Sequence, residues 1–97
     1  MSLPAPLTVV LDIVRRAYPD GLPKADYYPL LAVLQTDMSE ENLSVVVAEF
    51  VDDETVVVAN DAAKAASVLV PSPDDIIRVR SRLEAAGWRP ELDGDRG

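Results

Sequence analysis

Pro71-Ser72-Pro73-Asp74-Asp75-Ile76 opens, and Ala85-Ala86-Gly87-Trp88 closes, the stretch whose reading decides the fold. Ser72 can cap the free amides of a first helical turn, and Pro73 at the first position loses nothing by lacking an amide hydrogen. Asp75 falls three residues after the cap, a capping box with aspartate in place of Glu or Gln. Ile76, Val79, Leu83 and Ala86 then recur at helical spacing. Gly87 suits the left-handed residue that ends a helix, and Trp88 can fold back on the preceding turn.

Four further segments extend this pattern toward the N-terminus. From Pro4 or Pro6 to Tyr18, the positions Leu7, Val10, Leu11, Val14 and Tyr18 make one apolar face, and Pro19-Asp20-Gly21 supplies turn chemistry. Asp26 is the expected cap of a second helix, with Pro29 in its first turn, where a missing donor does little harm. Leu30, Leu31, Val33 and Leu34 form an almost wholly apolar run, as in a helix enclosed on most sides, ending near Thr36 or Asp37. Ser39, followed by Glu40 and Glu41, starts a third helix with a stripe of Leu43, Val46, Val47 and Phe50. Val45-Val46-Val47 would also suit a strand, but the cap and the stripe favour helix. Thr55–Val58 reads equally as a short extended piece or as the opening of a fourth helix. Asn60 or Asp61 is the expected cap of the alanine-rich stretch 62–69, which Pro71 ends.

The expected fold is therefore all-α, a compact single-domain bundle of four to five short helices. Residues 1–90 form one domain, and 91–97 form a flexible acidic tail. The 97 residues, 48% of them hydrophobic and 27% charged, suit one globular unit with a stability margin of about several kcal/mol.

Composition excludes more chemistry than it suggests. Without cysteine there is no disulfide, thiolate metal site or cysteine nucleophile, and without histidine the commonest neutral-pH base and transition-metal ligand are gone. None of the four glycines lies in a phosphate-cradling loop. The expectation is a protein that is not an enzyme and needs no cofactor. No stretch reaches the roughly 18 uncharged apolar residues of a membrane span. Met1–Val14 lacks the basic start of a signal peptide, so the expected location is cytoplasmic.

Two stretches carry a resemblance. Tyr18-Pro19-Asp20-Gly21-Leu22-Pro23, with Asp26-Tyr27-Tyr28-Pro29-Leu30-Leu31-Ala32-Val33-Leu34, resembles the N-terminal half of a family of small actinobacterial, chiefly mycobacterial, proteins of unknown function. Pro71-Ser72-Pro73-Asp74-Asp75-Ile76 through Gly87-Trp88 resembles its closing helix. The two cover roughly half the chain in matching order. The resemblance implies about five helices and no activity.

Charge is unevenly distributed. Residues 1–24 sum to +1, residues 25–63 to −9, residues 64–89 to +2 and residues 90–97 to −2, so the central segment supplies all of the net −8. Such a surface repels nucleic acid overall. Arg78, Arg82 and Arg89 nevertheless share one face if helical turns persist past Gly87, and could meet phosphates or an acidic partner. The plainer reading is a solvated face, with Arg82 near Asp75 or Arg78 near Asp74 as weak surface pairs. Asp52-Asp53-Glu54 could hold calcium or magnesium, or attract a basic protein, but first of all it reads as a solvated loop. Asp93-Gly94-Asp95 lacks the length and closing glutamate of a calcium loop. Tyr27, Tyr28 and Trp88 could anchor an interface, though such residues more often fill cores and lock helix ends. Lys24 and Lys64 lack the setting of a Schiff-base lysine.

The functional expectation is a protein-interaction or adaptor module with an unidentified protein partner, working through Arg78, Arg82 and Arg89 or through Asp52, Asp53 and Glu54. The alternative is a nucleic-acid-associated domain using the last helix, and an unrecognised carboxylate enzyme stands behind both. Monomer and homodimer fit the sequence equally.

Overall fold

The computed structural model describes residues 5–88. Five helices follow one another: α1 (Ala5–Ala17), α2 (Lys24–Gln35), α3 (Glu40–Val51), α4 (Thr55–Ser67) and α5 (Pro73–Ala85). There is no strand among the described residues, and the expected all-α single-domain bundle is borne out. The tail 91–97 lies outside them, as does Arg89.

Packing explains the composition of α2. It lies against α3, α4 and α5, while α1 joins α3 to α5 and α3 joins α4. The other four helices thus make an arc, α5–α1–α3–α4, around α2. An enclosed helix needs apolar residues on most sides, and Leu30, Leu31, Val33 and Leu34 are all fully buried. Val14 and Tyr18 of the first segment, Leu43 and Val47 of α3, Val58 and Ala62 of α4 and Val79 and Leu83 of α5 complete the same core. A smaller apolar cluster of Leu7, Leu11 and Val46 fastens α1 to α3.

Local signals set most helix ends. The Ser39 hydroxyl accepts the Asn42 amide at 3.1 Å, and the Ser72 hydroxyl accepts the Asp75 amide at 3.2 Å, the two serine caps expected. Gly87 takes φ 113°, and the amides of Gly87 and Trp88 reach the carbonyls of Glu84 and Leu83. That paired return is how a left-handed residue closes a helix.

Three expectations are corrected. Asp26 does not cap α2: the helix starts two residues earlier, after Pro23, and Asp26 is buried in its first turn. Pro29 therefore lies inside the helix, and the Ala25 carbonyl it leaves without a donor belongs to an exposed residue that water can reach. Thr55–Val58 is the first turn of α4, so Asn60 and Asp61 sit mid-helix and cap nothing. The helical choice at 55–58 follows from Val58 seating in the core in register with Ala62 and Ala65.

Asp52 ends α3 in the left-handed conformation, φ 61° and ψ 51°, and the amides of Asp52 and Asp53 both return to the Ala48 carbonyl. Aspartate tolerates this geometry less well than glycine. Asp52→Gly is expected to raise stability by about 0.5–1 kcal/mol, read as a higher urea midpoint at unchanged m-value. A lower midpoint would mean that the carboxylate, not the backbone, sets the turn.

Candidate functional site

The basic stripe is only partly free. On α5, Arg78 and Arg82 share one flank, as expected, but that flank faces other parts of the chain. Nη2 of Arg78 donates to Asp26 Oδ1 at 2.5 Å, and Nη1 donates to Asp75 Oδ1 at 2.6 Å. The paired acids are thus Asp26 and Asp75, not Asp74. Arg82 does not meet Asp75: its Nε donates to the Ala17 carbonyl at 2.6 Å, and its guanidinium lies over the Tyr18 ring, 4.5 Å from the centroid. Tyr18 completes the cluster by donating its hydroxyl to Asp26 Oδ2 at 2.9 Å. One buried carboxylate therefore ties the end of the first segment, the start of α2 and the middle of α5. Arg78 and Ser72, by hydrogen bonding, hold the exposed Asp75 carboxyl below its ordinary range.

The cations without a hydrogen bond or ion pair among the described residues are Arg15, Arg16, Lys24 and Arg80. Arg16 reaches to within 3.6 Å of the position a Cβ would take on Gly87. Sequence spacing could not find this, because Arg16 and Gly87 meet only through the packing of α1 on α5.

A second carboxylate joins α2 to α4. Asp61 accepts the Tyr27 hydroxyl at 2.7 Å and the Tyr28 hydroxyl at 3.4 Å, and Lys64 stands 4.0 Å away. The two rings meet edge to face at 5.2 Å. Tyr27 and Tyr28 are half-buried, and Trp88 is in the core. These aromatics thus take the structural role weighed for them. The Trp88 indole Nε1 is buried with no acceptor among the described residues.

Asp52, Asp53 and Glu54 form the α3–α4 turn, and all three are exposed. Asp53 Oδ1 accepts the Glu54 amide at 2.7 Å, and Glu54 stands at the α4 N-cap position without a capping bond. Among the described residues, no group of three or more acidic residues is arranged to hold a metal ion. The turn's local geometry follows from joining two helices. Its charge has no cationic partner among the described residues.

Burial, then the hydrogen bond from Tyr18 to Asp26 and the negative charge there, push the Tyr18 hydroxyl well above its ordinary value of 10.0. Burial and Asp61 do the same to Tyr27. Above pH 10 an unfolded chain loses these protons while the folded one keeps them, so unfolding releases protons and stability falls. Each tyrosine that holds its proton should contribute a loss of up to about 1.4 kcal/mol per pH unit beyond about pH 10. Urea midpoints between about pH 9 and pH 11 check this, and Tyr18→Phe should flatten the fall. An unchanged slope in that variant would remove Tyr18 from the account.

No described helix is long and apolar enough to cross a membrane. Comparison with curated proteins and with solved structures yields no match. A family model described as "Protein of unknown function (DUF3349)" matches residues 5–91, nearly the whole chain and all five helices, and the protein belongs to that family of unknown function.

Proposed function

We propose that this protein is a non-enzymatic, cytoplasmic protein-interaction module of actinobacterial type whose working face is acidic. The observation that carries the reading is the uncompensated charge of residues 37–54. Asp37, Glu40, Glu41, Glu49, Asp52, Asp53 and Glu54 stand there without a basic residue in the segment, and none of them makes an ion pair among the described residues. Glu40 and Glu41 complement the α3 dipole, and Asp37 and Asp53 accept local hydrogen bonds, but these uses leave the negative charge of the segment unneutralised. A concentrated single-sign field speeds encounter with an oppositely charged partner. The absence of histidine and cysteine supports a binding role over acid–base or thiol catalysis.

The Arg78/Arg82/Arg89 face draws less support. Arg78 and Arg82 are both engaged within the chain, and Arg89 lies outside the described residues. The nucleic-acid alternative, which needs those arginines for phosphate, weakens for the same reason.

The test is affinity capture from nuclease-treated native lysate, comparing wild type with Asp53→Lys/Glu54→Lys. Asp52 is left in place because it terminates α3. A partner captured by wild type and lost in the variant supports the reading. Identical capture by both proteins, or recovery only of nucleic acid from untreated lysate, overturns it.

A further inference from the structure

The two helices at the ends of the arc are built differently. Neither packs on the other, so each has one side on the bundle and one turned away. On α5 the exposed positions include Asp74, Glu84 and the arginines Arg78 and Arg82, which are also bonded within the chain, and Ile77 is the one large hydrophobic exposed there. On α4 Val56, Val57, Ala63 and Ala66 are exposed beside Thr55, Asn60, Lys64 and Ser67, and the chain continues outward through the exposed Val68, Leu69 and Val70. Val56 is 61% exposed, Val68 77% and Val70 65%. Two charged residues occur in α4: Asp61, turned to the tyrosines of α2, and the exposed Lys64, whose charge Asp61 offsets at 4.0 Å. A run of this kind in a chain that is 27% charged is the mark of a surface meant to be covered.

The rim identifies what covers it. Asp52, Asp53 and Glu54 stand exposed at the N-terminal end of α4, and after Val70 the next charged residue along the chain is the exposed Asp74, in the first turn of α5. Pairing this face with a second copy would bring acid to acid. An antiparallel match sets the Asp52–Glu54 turn against the region of Asp74, and a parallel one sets the turns side by side. A helix with an apolar stripe and flanking Lys or Arg meets both features at once.

From this geometry we infer that the outer face of α4, with residues 68–70, docks a cationic amphipathic helix of a partner protein. The inference deepens the proposed interaction role by naming the partner's chemistry, and it rests on that reading. Apolar contact with Val56 and Val70 supplies the binding energy, and the carboxylates at the two ends set orientation and encounter rate.

The probe is a fluorescent Leu/Lys peptide of about 14 residues with its leucines on one helical face, matched to the length of α4. A second peptide of the same composition spreads the leucines around the helix. The proteins are wild type, Val56→Ser/Val70→Ser, Asp53→Lys/Glu54→Lys and, as a control, Val9→Ser, which removes an equally exposed valine from α1. Circular dichroism confirms that each is folded. The expected result is saturable binding of the amphipathic peptide, weakened roughly tenfold by Val56→Ser/Val70→Ser and unchanged by Val9→Ser. Asp53→Lys/Glu54→Lys should weaken binding and flatten its salt dependence. Absent binding, equal affinity for both peptides, or full affinity in the double-serine variant overturns the inference. So does a peptide-free dimer, seen by sedimentation, that Val56→Ser/Val70→Ser dissolves. If lysate capture still depends on Asp53 and Glu54 while Val56→Ser/Val70→Ser has no effect, the interaction role survives and only this docking mode falls.

Discussion

Leu34→Ala is expected to lower stability by about 3 kcal/mol. Leu34 is fully buried on α2, the helix that three others enclose. Removing three side-chain carbons there loses their transfer free energy. It also leaves a cavity, because helices held on several sides cannot close in freely. For a domain of this size the loss is a large fraction of the whole margin, and the melting temperature should fall by roughly 15 °C. Leu69→Ala provides the comparison, since Leu69 is 47% exposed, and its change should stay within about 0.5 kcal/mol. Urea denaturation of the two variants decides the matter. Equal effects would mean that α2 is not the enclosed helix.

Asp26→Ala is expected to cost about 2 kcal/mol, from a residue whose type alone suggests a surface position. Asp26 is 5% exposed, yet it accepts from Tyr18 and from Arg78. Its removal leaves the buried Tyr18 hydroxyl without an acceptor and Arg78 with Asp75 alone. Asp26→Asn keeps an oxygen for Tyr18 but not the charge for Arg78, so its loss should be smaller. Tyr18→Phe removes the other end of the same bond. In a double-mutant cycle, Asp26→Ala with Tyr18→Phe should therefore cost less than the sum of the two single changes. Strict additivity would show that the two side chains act independently.

The contrast between Ser72 and Asp26 shows where the sequence was legible. Both precede apolar helical stripes, and both are good capping types. Ser72 caps because Pro73 and Asp75 fix the start of α5 within four residues, so the signal is local and sufficient. Asp26 is taken by groups eight and 52 residues away, and that competition is invisible to a reading of neighbours. The same holds for the arginine stripe. Helical spacing correctly put Arg78 and Arg82 on one flank, but only the packing of α5 beside α1 and α2 gave those exposed arginines partners within the chain. Arg16 beside Gly87, and Asp61 between two tyrosines, had no signal at all in local spacing.

By itself the sequence determined the all-helical class, the serine caps, the glycine stop, the enclosed character of α2 and the acidic centre. Each of these follows from interactions within a turn or two of helix, or from counting charges. Only the tertiary structure decided that Thr55–Val58 belongs to α4, that Asp26 is a buried acceptor, that Arg78 and Arg82 brace the fold, and that α4 presents valines to the outside. Those outcomes depend on which helices become neighbours. Burial and competition for hydrogen-bond partners settle them, and residues distant in sequence supply both.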